Sequence, residues 1–200
     1  HEMGRQEGTD VRRLSKQWRP QFRFPKNGVA RSSETNYVLN IQGLRLISLD
    51  SNLGQPTPEK ALADQVAWLE RELSRPGADW TVVTFHHPVF SGAEGRDNPE
   101  LRAAWRPVIE KHGVDLVLSG HDHVYARSAV GQEIAGSKGG PGTVYCVSVA
   151  GPKMYVLERE KWMRRAAQGL QTFQVVSVSK DKLGFETYTT TGKLYDAFEW

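Results

Sequence analysis

The chain has 200 residues, 38% of them hydrophobic and six of them tryptophan, enough to bury one sizeable core, so a single domain over residues 1–200 is expected. Its 26 basic and 23 acidic residues leave a net charge of +3, too small a bias to argue for nucleic acid, and no apolar run is long enough for a signal peptide or membrane span within this segment. Cys146 is the single cysteine, which excludes an intrachain disulfide and leaves the redox compartment open.

Residues 1–36 are polar and aromatic-studded with Pro20, Pro25 and Gly28 as breakers, and read as a long loop with one helical turn. Tyr37 to Ile41 and Leu44 to Leu49 form a hairpin around Gln42-Gly43. A helix follows from Pro58 to Ser74, capped by Thr57, with Leu62, Val66, Leu69 and Leu73 recurring on one face. Strand Trp80 to Phe85 runs into His86. Asn98-Pro99 opens a second helix with Leu101, Trp105, Val108 and Ile109 inward; Pro107 bends it or costs it one hydrogen bond, and His112-Gly113 ends it. Strand Asp115 to Ser119 then runs into Gly120-His121-Asp122-His123.

Beyond that point the pattern is β-rich: Thr143 to Val149 with a buried Cys146, Thr172 to Val178, Leu183 to Thr190 and Leu194 to Phe198. The imperfect alternation of Phe173, Val175, Val176 and Val178 suits a strand buried on both faces. Arg159, Lys161, Arg164 and Arg165 read as the solvated face of a short helix, and Gly136 to Gly142 as a surface loop without P-loop spacing. The order strand, helix, strand, helix, strand, then strands with short turns, predicts a layered α/β sandwich with a mixed sheet and a second, mainly antiparallel sheet.

Both histidine-bearing strands end abruptly, so His86 and His121 project from carboxyl ends, where open α/β sheets build their sites. Imidazole is the commonest protein ligand for first-row metals, and a His-x-His pair where pleating stops can aim both rings at an ion. A lone histidine reads as a core or loop residue. Convergence of His86, His121 and His123 points to metal.

Val83-x-x-His86 and Gly120-His121-x-His123 resemble, in order, the last two signature motifs of the calcineurin-like metallophosphoesterases, and Gly120 to Arg127 is most similar to their purple acid phosphatase branch. His1-Glu2 resembles the end of that family's Gly-Asn-His-Asp/Glu motif. The resemblance implies a layered sandwich of two mixed β-sheets flanked by helices, the second mainly antiparallel, and hydrolysis of phosphate esters by water activated between two divalent or trivalent ions (Fe, Zn or Mn). It implies that His86 and His121 bind one ion and His123 the other. His1 would protonate the leaving group with Glu2 orienting it, Arg96 and Asn98 would reach substrate, and Tyr125 and Arg127 would buttress the histidine loop. His87, following His86, is expected to face the opposite way, with a structural or pocket-edge role.

The family's aspartate and asparagine ligands have no counterpart here. Asp50 and Asp115 stand in no matching motif and read as strand-end or turn carboxylates. The chain therefore reads as the carboxyl-terminal part of a phosphoesterase domain whose amino-terminal half is a missing partner, and the alternative is a non-catalytic fragment holding one metal. Secretion is suggested by the resemblance alone.

Overall fold

The amino-terminal stretch is more ordered than its breakers suggest. In the computed structural model, which describes residues 3–5, 12–32, 34–53, 57–129 and 142–200, β1 (Met3–Arg5) and β2 (Arg12–Leu14) pair as an antiparallel ribbon. One helical turn follows, α1 (Trp18–Gln21). The rings of Trp18, Phe22, Phe24 and Tyr37 then pack in succession, with centroids 4.8, 5.6 and 4.9 Å apart.

Tyr37 begins β3 (Tyr37–Ile41), which returns as β4 (Leu44–Ser48). Gln42 and Gly43 both take positive φ, 48° and 84°, the two-residue turn that matches strand twist. From β4 the chain crosses through α2 (Pro58–Leu73) to β5 (Trp80–Phe85), then through α3 (Pro99–Lys111) to β6 (Leu116–Ser119). Strands β4, β5 and β6 are parallel, as crossovers of that length require. Three more strands complete the sheet: β7 (Tyr125–Arg127), β8 (Val144–Val147) and β9 (Arg165–Ala167). Among the described residues its seven strands lie in the order β3-β4-β5-β6-β8-β7-β9, with β8 parallel to β6 and β7 antiparallel to both neighbours.

The hydrophobic pattern divides between the faces. Ile47, Val83, Phe85 and Val117 meet Leu69, Trp105 and Ile109 of the helices, whereas Val82, Leu116, Val144 and Cys146 meet Leu183 and Phe185 of a second sheet. That sheet comprises β10 (Thr172–Val178), β11 (Leu183–Thr189) and β12 (Leu194–Glu199). The architecture is the expected layered α/β sandwich, but the second sheet is antiparallel throughout, not mixed. Among the described residues no helix is long and apolar enough to cross a membrane.

Three local expectations are corrected. Strand β10 is not buried on both faces: Phe173 and Val175 are 45% and 40% exposed, because the small sheet is an outer layer and alternate residues point out. The basic stretch around Arg165 is no helix; residues 165–167 pair with β7, a tertiary contact that overrides local preference. The stripe that α2 buries is rotated towards Ala61, Gln65, Trp68, Leu69 and Glu72, with Leu62, Val66 and Leu73 only partly covered. Helix α3 runs through Pro107 without ending. Within the Gly136 to Gly142 run, residues 136–141 lie outside the described residues.

Candidate metal centre

Strands β4, β5 and β6 reach the same edge and extend their ladders slightly beyond it. Leu49 N–H donates to Thr84 O at 2.9 Å, and Gly120 N–H to His86 O at 3.1 Å. Between those anchors the side chains of two expected ligands meet: His121 Nδ1 lies 3.1 Å from His86 Nε2.

The expectation that His87 faces away is not met. Because β5 ends at Phe85, pleat alternation no longer sets its direction, and its ring centroid lies 4.2 Å from that of His121 and 4.8 Å from that of His86. One ring nitrogen from each of His86, His87 and His121 lies within 4.8 Å of the other two. Ser51 Oγ, just past β4, lies 2.8 Å from His87 Nδ1 and accepts the His87 backbone N–H at 3.0 Å. His87 also borders a cavity shared with Asp97 and Asn98.

His123 is not in that group. Its Nδ1 lies 2.8 Å from Lys153 O, and its ring stacks on Tyr155 with centroids 4.5 Å apart. The turn carrying both histidines is tight: His121 takes φ 65°, in the left-handed region. Asp122 N–H donates to Gly120 O at 2.7 Å and Val124 N–H to Asp122 O at 2.8 Å. The Asp122 side chain is fully buried; its Oδ2 accepts from Gly92 N–H at 2.8 Å and Ala93 N–H at 3.3 Å, while Oδ1 has no hydrogen-bond partner.

Arg96, expected to reach substrate, lies against the histidine loop, with Nη1 2.5 Å from His121 Nε2 and 4.0 Å from Asp122 Oδ1 and its guanidinium 4.5 Å from the centre of the Tyr155 ring. Asn98 is differently employed: its Nδ2 donates to Pro88 O at 2.9 Å, and its side chain makes no cap bond to α3. Behind the loop, Tyr125 Oη donates to Asp196 Oδ2 at 2.8 Å, and Arg127 reaches both oxygens of the same carboxylate at 2.6 and 2.7 Å. Asp50 and Asp115 serve locally, Asp50 accepting from Thr35 Oγ1 and Asn52 N–H, and Asp115 from Thr81 N–H. His1 and Glu2 lie outside the described residues.

Burial, then the neighbouring His87, pushes the His86 imidazole down to about 4, and burial, then the Arg96 charge, lowers His121. Both are neutral near pH 7 and present lone pairs. Three imidazoles, with no carboxylate in the same group among the described residues, offer ligand types that suit a borderline divalent ion. Beside His86, a cavity of about 600 Å³ opens between Gly120 and the wall formed by Trp18, Phe24 and Tyr37.

Sequence reasoning missed Ser51, Asp122, Lys153 and Tyr155. Asp122 lay in plain view within the motif, whereas Ser51 and Tyr155 reach the site only through tertiary contacts.

A phosphoesterase class is what this sheet edge and its histidines suggest. The family profile described as calcineurin-like phosphoesterase matches residues 1–125, and the chain belongs to that family, which implies bound divalent or trivalent metal ions. It is 30% identical over 112 residues to purple acid phosphatase 18 of Arabidopsis thaliana, covering 54% of this chain and 25% of the relative. It is 34% identical over 121 residues to tartrate-resistant acid phosphatase type 5 of Oryctolagus cuniculus, covering 56% of this chain and 36% of the relative. The matches thus span about a quarter of one relative's length and little more than a third of the other's. The fold is similar to that of purple acid phosphatase PPD1 from yellow lupin (Lupinus luteus) seeds, with a TM-score of 0.64 at 19% identity over 82% of this chain and 32% of that one.

Proposed function

We propose that the protein hydrolyses phosphate esters at a metal centre in which His86 and His121 hold one ion and His123 belongs to a second. The observation that carries this reading is the meeting of His86 and His121 at the carboxyl edge of two parallel strands. Bound metal supplies Lewis acidity at phosphate oxygens and a hydroxide-like nucleophile near neutral pH. Arg96, the charged group on the open side of His121, binds a phosphate oxygen through its planar fork of donors. Asp122 and Tyr155 hold that guanidinium in place. Asn98 acts through the loop it fastens to Pro88. His1 supplies the leaving-group proton and Glu2 orients it.

A second ion close to the first needs anionic donors, since neutral imidazoles do not offset repulsion between two dications. The described group of three histidines contains none, which favours a second reading: a chain that binds one ion without turnover. Hydrolysis of an aryl phosphate separates the two, measured with metal supplied, with and without an added amino-terminal piece bearing Asp-x-His and Gly-Asp motifs. The expected result is little turnover by the chain alone and chelator-sensitive turnover with the piece, lost in His121→Ala. Absence of turnover in both arms leaves only the second reading.

A further inference from the structure

We infer that Tyr155 is a positioning residue shared by two parts of the centre: together with the Lys153 carbonyl it fixes the ring and tautomer of His123, and its ring face holds Arg96. The inference rests on the reading above, which gives His123 to a second ion and a phosphate oxygen to Arg96, and adds the residue that sets the two relative to each other.

The backbone supplies the support. Residues 153–158 run as a strap across two loops. Towards the histidine loop, Tyr155 N–H donates to His123 O at 3.1 Å. Towards the Arg96 loop, Glu94 N–H donates to Val156 O at 2.9 Å and Glu158 N–H to Gly92 O at 3.0 Å, with Ala93 and Leu157 paired in an antiparallel bridge between them. Gly95 N–H adds a bond to the Glu158 carboxylate at 3.2 Å, and Leu157 N–H donates to Gln168 Oε1 at 2.8 Å. Asp122 joins the remaining pair of loops through the amides of Gly92 and Ala93, so all three segments are bonded to one another.

On that support His123 is oriented chemically. A carbonyl oxygen has no proton to give, so the 2.8 Å contact between His123 Nδ1 and Lys153 O puts the proton on Nδ1 and leaves the lone pair on Nε2. A ligating imidazole ordinarily has its other N–H fixed by such an acceptor. The Tyr155 ring lies on the imidazole with centroids 4.5 Å apart and planes inclined by 29°, which restricts the rotation that a single hydrogen bond leaves open.

Arg96 is oriented by the same ring. Its guanidinium lies 4.5 Å from the ring centre and the Lys153 ammonium 5.0 Å from it, both within the range at which an aromatic face attracts a cation. These contacts use the ring alone; the Tyr155 hydroxyl makes no hydrogen bond among the described residues. One ring that meets both the imidazole and the guanidinium ties the place of an ion ligand to the place of a phosphate oxygen, the kind of spacing on which rate depends.

The test begins on the chain alone, without metal or substrate, with imidazole nitrogen–proton correlation spectra at about pH 8, where an ordinary imidazole is neutral. His123, assigned by the signals lost in His123→Gln, should read as the Nδ1–H tautomer in the native chain and in Tyr155→Phe, and as a mixture of tautomers in Tyr155→Leu. The Arg96 side-chain protons should lie upfield through the Tyr155 ring current in the first two and return to ordinary positions in the third. With metal and the amino-terminal piece supplied, Tyr155→Leu should lower kcat/KM for an aryl phosphate by roughly tenfold, the scale for losing a group that orients a ligand, and Tyr155→Phe should restore most of that loss. An Nε2–H tautomer in the native chain, Arg96 protons without the upfield displacement, or a Tyr155→Leu that matches Tyr155→Phe would each overturn the inference. Should Tyr155→Leu fail to fold, the native spectra decide. Absence of turnover by the native chain with the piece would remove the hydrolase reading, and the spectra would still decide whether Tyr155 orients His123 and Arg96.

Discussion

Asp122 exposes no surface, and its two carboxylate oxygens do different work. Oδ2 gathers the amides of Gly92 and Ala93, tying the loop that carries Arg96 to the loop that carries His121, while Oδ1 faces Arg96 at 4.0 Å without a hydrogen bond. Removing the acceptor leaves two amides without their charged partner, and hydrogen bonds to charged groups are worth about 1.5–3 kcal/mol each. Asp122→Ala should therefore lose about 3 kcal/mol in urea unfolding; a loss under about 1 kcal/mol would mean that the two loops are not joined this way. His86 and His121 were legible because their strands stop at them. His87 was misread by carrying β alternation one residue past the end of β5, and Asp122 was overlooked because its burial depends on the left-handed turn at His121, which no spacing announces.

Among the elements, α2 has the clearest signals and the longest reach. Thr57 Oγ1 accepts Lys60 N–H at 3.2 Å, and Pro58 occupies the first turn, where its missing N–H does no harm. At the other end, buried Arg45 of β4 donates to Glu72 O, Arg75 O and Pro76 O, satisfying carbonyls that the helix leaves open. Thr57→Ala should lower stability by about 1 kcal/mol, read as a fall in the thermal midpoint; an unchanged midpoint would mean that the cap bond contributes nothing. The extent of α2 was legible because capping chemistry is local. Its buried face was not, because Gln65 turns inward for a tertiary partner, the backbone of Asp50, and Glu72 is buried while its carboxylate is paired, among the described residues, only with Arg75 one turn on. The same asymmetry explains β9, where three residues without strand character are held by β7, and Asn98, whose side chain chose Pro88 O over the helix end it stands beside.

Across the whole molecule, the two sheets are joined by a buried polar cluster set within their shared apolar core. Asp196 of β12 receives Arg127 through two bonds and Tyr125 through one, and Thr187 Oγ1 donates to Tyr125 Oη at 3.2 Å. Burial by itself would raise the Asp196 carboxyl, but the bonds from Arg127 and Tyr125 outweigh it and hold it below the ordinary value. A group depressed in the folded state stabilises above its unfolded pKa of about 4 and ceases to do so as pH falls through the folded value. As pH falls below about 4, the native chain should lose stability more steeply than Asp196→Asn, checked by urea midpoints; parallel curves would exclude this carboxylate as the source. Asp196→Ala, which strands the guanidinium, should cost about 3–5 kcal/mol at neutral pH. The sandwich was legible from element order. The joint was not, since Asp196 and Arg127 have no relation along the chain and meet only once β12 lies across β7.

The turn that sets Ser51 beside His87, and the strand ends that bring His86 to His121, have a consequence for folding itself. These residues come from three separate segments that adjoin only when β4, β5 and β6 have paired in register. An unfolded chain offers scattered imidazoles, so an ion that prefers the assembled edge shifts the folding equilibrium, by about 2.7 kcal/mol at a free concentration one hundred times its Kd. An ion bound there would act as a rivet through the mouth of a parallel sheet, and its supply would then set how much of the chain is folded.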